Sequence, residues 1–371
     1  MELQKSKKNI AIIVDTVDEI SETFIKNHIK YLPHYNFVFS GFPVPLNKMM
    51  VKPSLFNKFK YRMISKKIAK SWLQLYQENQ FTNEIKNNKI DIVFAEFLTN
   101  GVKVLELCKK NNLPLIVTAL GYDISIESIV TKNNLLYKEL FDYCQNIVIV
   151  SKHMKDKILE IGCDESKIIY SPCGPDESFF NINPNFKSKQ IFALGRFVDK
   201  KGPIFTLLAF KQVLEKVPNA NLVFGGEGQL WNAAKDLSYS LGMNQNVLFP
   251  GFISQDKQKE ILSESIMFVQ HSQKADNGDS EGTPVALLEA SAASLPVVST
   301  FHAGIPDVIL NNKTGFLVKE KDVNNMAEKM IYLLENIDIA KGMGKAGKKY
   351  VEKNFSLESH ISDLNECILR K

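Results

Sequence analysis

Short apolar runs alternate with amphipathic stretches from one end of the chain to the other. In the first half the strand-like runs cover residues 10–14, 35–40, 90–95, 115–119, 147–150 and 168–170, with helical segments such as 101–111 and 151–161 between them. After a polar stretch containing Pro and Asn, residues 181–188, the pattern restarts at 190–194, 220–224, 247–249, 266–270, 296–300 and 315–318. Strand–helix alternation of this kind predicts an α/β fold with doubly wound parallel sheets. Two successive sheets of similar size predict two Rossmann-like domains facing a cleft, one over residues 1–182 and one over 183–352. Residues 353–371 are expected to form a helix that packs back on the first domain. Ligands of such sheets bind beyond the carboxyl ends of the strands.

At 371 residues, 44% hydrophobic and 23% charged, the chain has the composition of an ordinary two-domain globular protein. The run at 10–14 is only strand length and is followed by Asp15, so the start does not read as a signal peptide. Nowhere do ~18 apolar residues run together, so no membrane span is expected. Cys108, Cys144, Cys163, Cys173 and Cys367 are scattered, with no C-x-x-C pair. They read as buried thiols in a reducing compartment, which makes a cytoplasmic location the expectation.

The net charge of +5 is unevenly spread. From Lys48 to Gln77 there is no Asp or Glu, while Lys48, Lys52, Lys58, Lys60, Arg62, Lys66, Lys67 and Lys70 all fall there. Phe56, Phe59, Met63, Ile64, Ile68 and Trp72 are interleaved with them. A basic amphipathic helix with aromatic residues, here from Lys48 to Trp72, suits an anionic membrane surface. A solvated face on a lysine-rich protein would have the same pattern. Nucleic acid is not expected, for there is no zinc-finger spacing, RNP motif or dense Arg cluster.

The clearest chemistry lies in Asp279-Ser-Glu-Gly-Thr-Pro-Val-Ala-Leu-Leu-Glu289. Pro284 suits the first position of a helix, and Thr283 before it reads as the N-cap. Glu281 then lies in the loop and Glu289 inside the helix. The free N–H groups of Val285 and Ala286 would mark the positive end of the helix dipole, an anion site and most often a phosphate site. A carboxylate at 289 can accept both hydroxyls of a ribose, and one at 281 can take hydroxyls of whatever hangs from the phosphates. A nucleotide sugar offers these groups in that order. An ordinary capped helix with acids near its start would share the pattern.

Other segments change that balance. Ile191-Phe-Ala-Leu-Gly195 runs into Arg196, and Lys201 follows five residues on. A planar fork and a point charge at the carboxyl end of a strand suit a diphosphate. With the helix start they predict a two-sided clamp on one pyrophosphate. Gly225-Gly-Glu-Gly228 lacks the spacing of the dinucleotide fingerprint, so no NAD site is expected. Its Gly226 reads either as a close backbone approach to a base or ribose or as part of a simple turn. Asp276-Asn-Gly-Asp279 lacks the alternating ligands of a calcium loop and reads as a turn.

Together these motifs resemble the family 4 glycosyltransferases of GT-B fold, particularly those that build bacterial exopolysaccharide, capsule or O-antigen chains. The resemblance runs through Ser21-Glu-Thr-Phe-Ile25, Leu120-Gly-Tyr-Asp123, Gly195-Arg196 with Lys201-Gly202, and Gly251-Phe252. It continues in Ser280-Glu-Gly-Thr-Pro284, Leu288-Glu-Ala290 and Gly304-Ile-Pro-Asp307, and Glu281 with Glu289 forms the family's E-x7-E signature. It implies that Arg196 and Lys201 hold the donor diphosphate, that Glu281 faces the donor sugar and that Glu289 takes the ribose. Gly282, Thr283, Pro284, Val285, Gly226 and Phe252 would complete the donor side. Ser21, Glu22, Thr23, Leu120 and Asp123 would face them across the cleft, near donor phosphate or acceptor.

The resemblance further implies a retaining transfer from a nucleotide diphosphate sugar, UDP by family habit, to a glycan or lipid-linked glycan acceptor at the inner face of the cell membrane. It implies front-face attack, with a donor phosphate oxygen taking the acceptor proton and no protein general base. No cofactor and no metal are expected, since two cations and a helix dipole can neutralise the leaving nucleotide. One position departs from the family. Leu120 stands where members commonly carry a His that reaches the donor sugar near its C6 hydroxyl. An apolar side chain cannot bond that hydroxyl, so the expectation is a donor that is 6-deoxy or otherwise apolar at C6. A catalytically weak or inactive subunit that still binds nucleotide sugar is the alternative. Of the histidines, His271 and His302 flank the donor side and are candidates to line it; His28, His34, His153 and His360 read as structural.

Overall fold

Successive side chains of a strand point to opposite faces, and in this chain both faces of each sheet are apolar. Ala11 and Ile13 pack in one cluster with Val93, Leu115 and Leu140, while Ile10, Ile12 and Val14 pack in another with Phe94 and Ile116. In the second half Ile191 and Ala193 face one core and Phe192, between them, the other. The computed structural model describes residues 7–15, 23–41, 46–47 and 66–370, and for 46–47 and 66–74 it describes the backbone alone.

The first half runs β1 (Asn9–Val14), α1 (Thr23–Tyr31), β2 (Tyr35–Ser40), β3 (Leu46–Asn47), α2 (Lys66–Asn87), β4 (Ile92–Glu96) and α3 (Leu98–Asn111). It continues with β5 (Leu115–Ala119), α4 (Tyr122–Ser125), α5 (Glu127–Tyr143), β6 (Asn146–Ile149), α6 (Lys152–Ile161) and β7 (Ile168–Tyr170). The second half runs β8 (Gln190–Leu194), α7 (Pro203–Lys216), β9 (Asn221–Gly225), α8 (Trp231–Ser240), β10 (Val247–Leu248), α9 (Gln255–Glu264) and β11 (Met267–Val269). Then come α10 (Val285–Ala292), β12 (Val297–Thr300), α11 (Ile305–Val308), β13 (Gly315–Val318), α12 (Val323–Glu335), α13 (Ile337–Asn354) and α14 (Leu357–Leu369).

The first sheet has the order β3-β2-β1-β4-β5-β6-β7 and is parallel except for the two-residue β3. The second is β10-β9-β8-β11-β12-β13, parallel throughout. The chain is therefore α/β with two doubly wound sheets, as the alternation predicts, in the GT-B arrangement that the resemblance implies. In each sheet the chain reverses its winding beside the first strand, between β1 and β4 and between β8 and β11. Such a reversal opens a crevice at the carboxyl ends, because the two flanking loops leave on opposite faces.

The last helix returns to the first sheet, where Leu364, Cys367 and Ile368 pack with Ile10, Ile12 and Val148. A buried polar chain also ties it there. His360 Nε2 lies 2.8 Å from His28 Nε2, His28 Nδ1 lies 2.5 Å from Glu96, and Ser171 Oγ lies 2.8 Å from His360 Nδ1. Burial and the neighbouring His28 pull His360 down to about 3. All five cysteines are buried and unpaired, and burial alone pushes Cys108 up to about 12, as expected of inert thiols. Among the described residues no helix is long and apolar enough to cross a membrane. The basic segment from Lys48 to Trp72 lies outside the described residues up to 65, and from Lys66 onward only its helical backbone is described.

Candidate active site

The second sheet's crevice gathers the charges. Beyond β8 the chain turns at Gly202, whose φ of +48° and whose position against the His271 carbonyl admit no side chain, since a Cβ would lie 2.2 Å from that oxygen. The turn delivers Lys201 to Glu281, with Nζ 2.9 Å from Oε1. Ser272 Oγ donates to the same oxygen at 3.0 Å, and Gln270 Nε2 approaches it at 3.4 Å. Glu281 is only 6% exposed. Burial alone would push its carboxyl up, but Lys201 and Lys200 outweigh it and hold Glu281 down at about 2. Burial lowers Lys201 from the ordinary lysine value, with Glu281 opposing and Lys200 and Arg196 adding to the fall. Arg196 itself is exposed, and no ion pair or side-chain hydrogen bond engages it among the described residues. The two predicted sides of the clamp thus touch: Lys201 and Glu281 form one ion pair.

Lys200, which sequence reasoning passed over, is the more deeply buried of the two lysines. Its Nζ lies 2.9 Å from Asp279, and Asp279 in turn accepts from Ser125 Oγ of the first half at 3.2 Å. Nothing in a Lys-Lys pair says which lysine faces a ligand and which closes a domain junction.

Glu289 lines a separate part of the cleft. Its Oε2 accepts from Gln258 Nε2 at 2.6 Å, and burial raises its carboxyl to about 7. A cavity of about 410 Å³ opens there, bounded by Glu289, Val285, Gln258 and Phe252 on one side and by Thr23, Asn27 and Lys30 of α1 on the other. Phe252 is 61% exposed and presents an aromatic face to this space. The helix bearing Glu289 starts one residue later than expected. Pro284 is the N-cap, with ψ of 103°, and Thr283 is not. Thr283 Oγ1 donates instead to the Val150 carbonyl of the first half. The reason is tertiary: a partner 133 residues away outcompetes the local cap. Val285 and Ala286 still precede the first intrahelical bonds, which Leu287 and Leu288 make to Pro284. Gly282 is pressed between the halves, since a Cβ there would lie 2.6 Å from the Leu120 carbonyl.

Two expectations change. Asp123 does not face the cleft. It is fully buried and accepts the backbone N–H groups of Leu98, Leu120 and Gly121 at 2.8, 3.2 and 2.9 Å. Burial still pushes it up to about 6 against those bonds. Gly226 packs against the Gly195 carbonyl, 1.9 Å from where a Cβ would lie, so the loop itself requires a glycine there. His271 and His302 are buried and do not line the cleft; His271 packs on Phe205, and His302 meets the Glu281 backbone. Ser21 and Glu22 lie outside the described residues, while Thr23, the first residue of α1, is exposed at the cavity.

Leu120 is half-buried against both cores of the first half, and its carbonyl abuts Gly282, so the structure does bring it beside Glu281. Near it sits a polar group no motif announced. Asp15, one residue past β1, accepts from Lys103 Nζ at 2.6 Å and from the Tyr122 hydroxyl at 2.9 Å. Its only sequence signal is an acid directly after the first strand.

Residues 175–350 match the family described as glycosyl transferases group 1. Over 275 residues the chain is 28% identical to the putative colanic acid biosynthesis glycosyltransferase WcaL of Escherichia coli (strain K12), covering 72% of this chain and 68% of that protein. It is 29% identical over 280 residues to the amylovoran biosynthesis glycosyltransferase AmsK of Erwinia amylovora, covering 75% of this chain and 68% of that one. In fold it is similar to Anabaena HepE, solved in complex with UDP and glucose, with a TM-score of 0.78 at 13% identity over 97% of this chain and 99% of that one. At that identity the likeness is one of fold.

Proposed function

We propose, from the match of residues 175–350 to the glycosyl transferases group 1, that this chain moves a sugar, with retention, from a UDP-sugar to a glycan acceptor in exopolysaccharide biosynthesis. The observation that carries the reading is the Lys201–Glu281 ion pair, set beside Arg196 at the reversal point of the second sheet, with Glu289 lining a separate cavity. WcaL and AmsK are named for exopolysaccharides, and HepE was solved with UDP and glucose, which supports the pathway class and the nucleotide.

In this reading Glu289 accepts the ribose hydroxyls, Phe252 offers its ring to the base, and Arg196 and Lys201 face the diphosphate. The N–H groups at the start of α10 add their partial positive charge. As the glycosidic bond breaks, negative charge grows on the leaving UDP, where fixed cations in a partly dry site stabilise it without a metal. A donor phosphate oxygen takes the acceptor proton, and Glu281 holds the sugar. A release screen over nucleotide sugars tests this, run on the intact protein and on Glu289→Ala. UDP released by the intact protein and lost in the variant is the expected result. Release unaffected by the variant would remove Glu289 from the site.

Leu120 sets the donor class in the same reading. It packs among apolar side chains and adjoins Gly282, so a donor with a methyl group at C6 suits it better than one with a hydroxyl. Turnover of a UDP-hexose is compared with that of its 6-deoxy form, and preference for the 6-hydroxy donor would sink this part. The acceptor is lipid-linked, and the basic segment from Lys48 to Trp72 brings the enzyme to an anionic membrane face. Sedimentation with vesicles checks it; equal binding to neutral and anionic vesicles would rule it out.

A further inference from the structure

The carboxylate of Glu281 is held by Lys201, Ser272 and Gln270, but its backbone is held by a different group. The N–H of Glu281 donates to His302 Nε2 at 3.2 Å. His302 follows β12, is 4% exposed, and places Nδ1 2.6 Å from Glu320 Oε1. The other Glu320 oxygen accepts the N–H of Lys274 at 3.1 Å, which fixes the carboxylate in turn. The tautomer follows from the partners. A carboxylate at Nδ1 calls for a proton there, and an N–H aimed at Nε2 calls for a bare lone pair. Two residues on, Gly304 receives the Gly282 carbonyl so closely that a Cβ would lie 1.9 Å from it. The turn at 302–304 therefore meets the peptide unit before Glu281 and the one after Gly282.

We propose that His302, oriented by Glu320, is a positioning residue for Glu281, fixing the loop so that the carboxylate meets the donor sugar in one geometry. The inference rests on the reading of Glu281 as the sugar-facing group. A buried N–H ahead of a helix has no helical acceptor and must find one elsewhere. The imidazole supplies it. Without it the peptide between Ser280 and Glu281 is free to rotate, and the carboxylate moves while Lys201 stays. His302 is not among the residues lining the Glu289 cavity, so the ribose and base contacts that hold UDP there do not depend on it.

The test compares His302→Ala, His302→Gln, Glu320→Ala and Glu281→Gln with the intact protein. One measurement is UDP release from UDP-glucose and its 6-deoxy form, using whichever the intact protein turns over faster. The other is UDP affinity by calorimetry. His302→Ala is expected to lower kcat about 10²-fold, the cost of a misplacement near 1 Å, with UDP affinity unchanged. His302→Gln is expected to recover most of the loss, because its amide oxygen can accept the same N–H. Glu320→Ala, altered at a partly exposed position, is expected to lower kcat in the same direction and serves if His302→Ala does not fold. Unchanged kcat in His302→Ala or Glu320→Ala, an equal loss of UDP affinity, or no advantage of Gln over Ala would overturn the proposal. Full activity in Glu281→Gln would instead overturn the reading beneath it.

Discussion

At the mouth of the second sheet Lys200, Lys201, Asp279, Glu281 and Glu289 lie buried or nearly so, and each is engaged by a named partner. At the mouth of the first sheet, built on the same winding, the turn after β5 carries Leu120. Its polar group, Asp15 with Lys103 and Tyr122, is more open to solvent. A buried charge persists only when paired, so the second mouth has one stable arrangement, suited to a constant ligand such as a nucleoside diphosphate. The first mouth is bound by fewer such demands. We read it as the side where sugar and acceptor identity are decided.

The sharpest way to break this contrast is Lys201→Met, which leaves Glu281 buried without its cation. Turnover should fall by roughly 10²–10³, and unfolding in denaturant should show a loss of about 3–5 kcal/mol. Adding Glu281→Gln should restore much of the stability and none of the turnover. A single variant as stable as the parent would mean the pair is not what organises this mouth.

The first half should show the opposite pattern at His360. Replacing it with Ala removes the acceptor and donor that join α14 to His28 and Ser171, for an expected loss of about 1–3 kcal/mol. Donor KM and kcat should stay as they were. A large kinetic effect with little change in denaturation midpoint would show that α14 acts on the site.

Leu120→His is a smaller step, expected to favour a 6-hydroxy donor over its 6-deoxy form by about tenfold, the worth of one buried hydrogen bond. Competition between the two donors measures it directly. Smaller still is the pH effect at Glu289. Its carboxyl sits near 7 when buried, so UDP affinity should rise several-fold from pH 6 to 8 as it ionises and accepts the ribose hydroxyls. Stability runs the other way. The folded state holds this proton more tightly than the unfolded chain, whose value is 4.5, so the contribution is full below 4.5 and is lost as pH rises to about 7. Glu289→Gln should flatten both dependences.

Much of this was legible in the order of residues. Strand runs and their alternation gave two wound sheets, because burial on both faces demands apolar runs of strand length. Arg196, Lys201, Glu281 and Glu289 could be singled out because strand ends and helix starts place side chains predictably. Where an expectation did not hold, folding had given the side chain other partners. Thr283 looks like a cap until Val150 arrives, and Asp123 looks like a cleft residue until three backbone N–H groups claim it. His302 gave no sign of its task, since a histidine after a strand has many uses.

By itself, then, the sequence determined the two-sheet architecture, the buried cysteines and the residues of the proposed nucleotide-sugar site, all of them set by short-range pattern. Only the tertiary structure decided which lysine meets Glu281, what holds the loop behind it, and that Leu120 borders that loop. Those outcomes depend on contacts between segments far apart in the chain. Hydrogen bonds and ion pairs form with whatever group folding brings within reach, and local spacing does not contain that information.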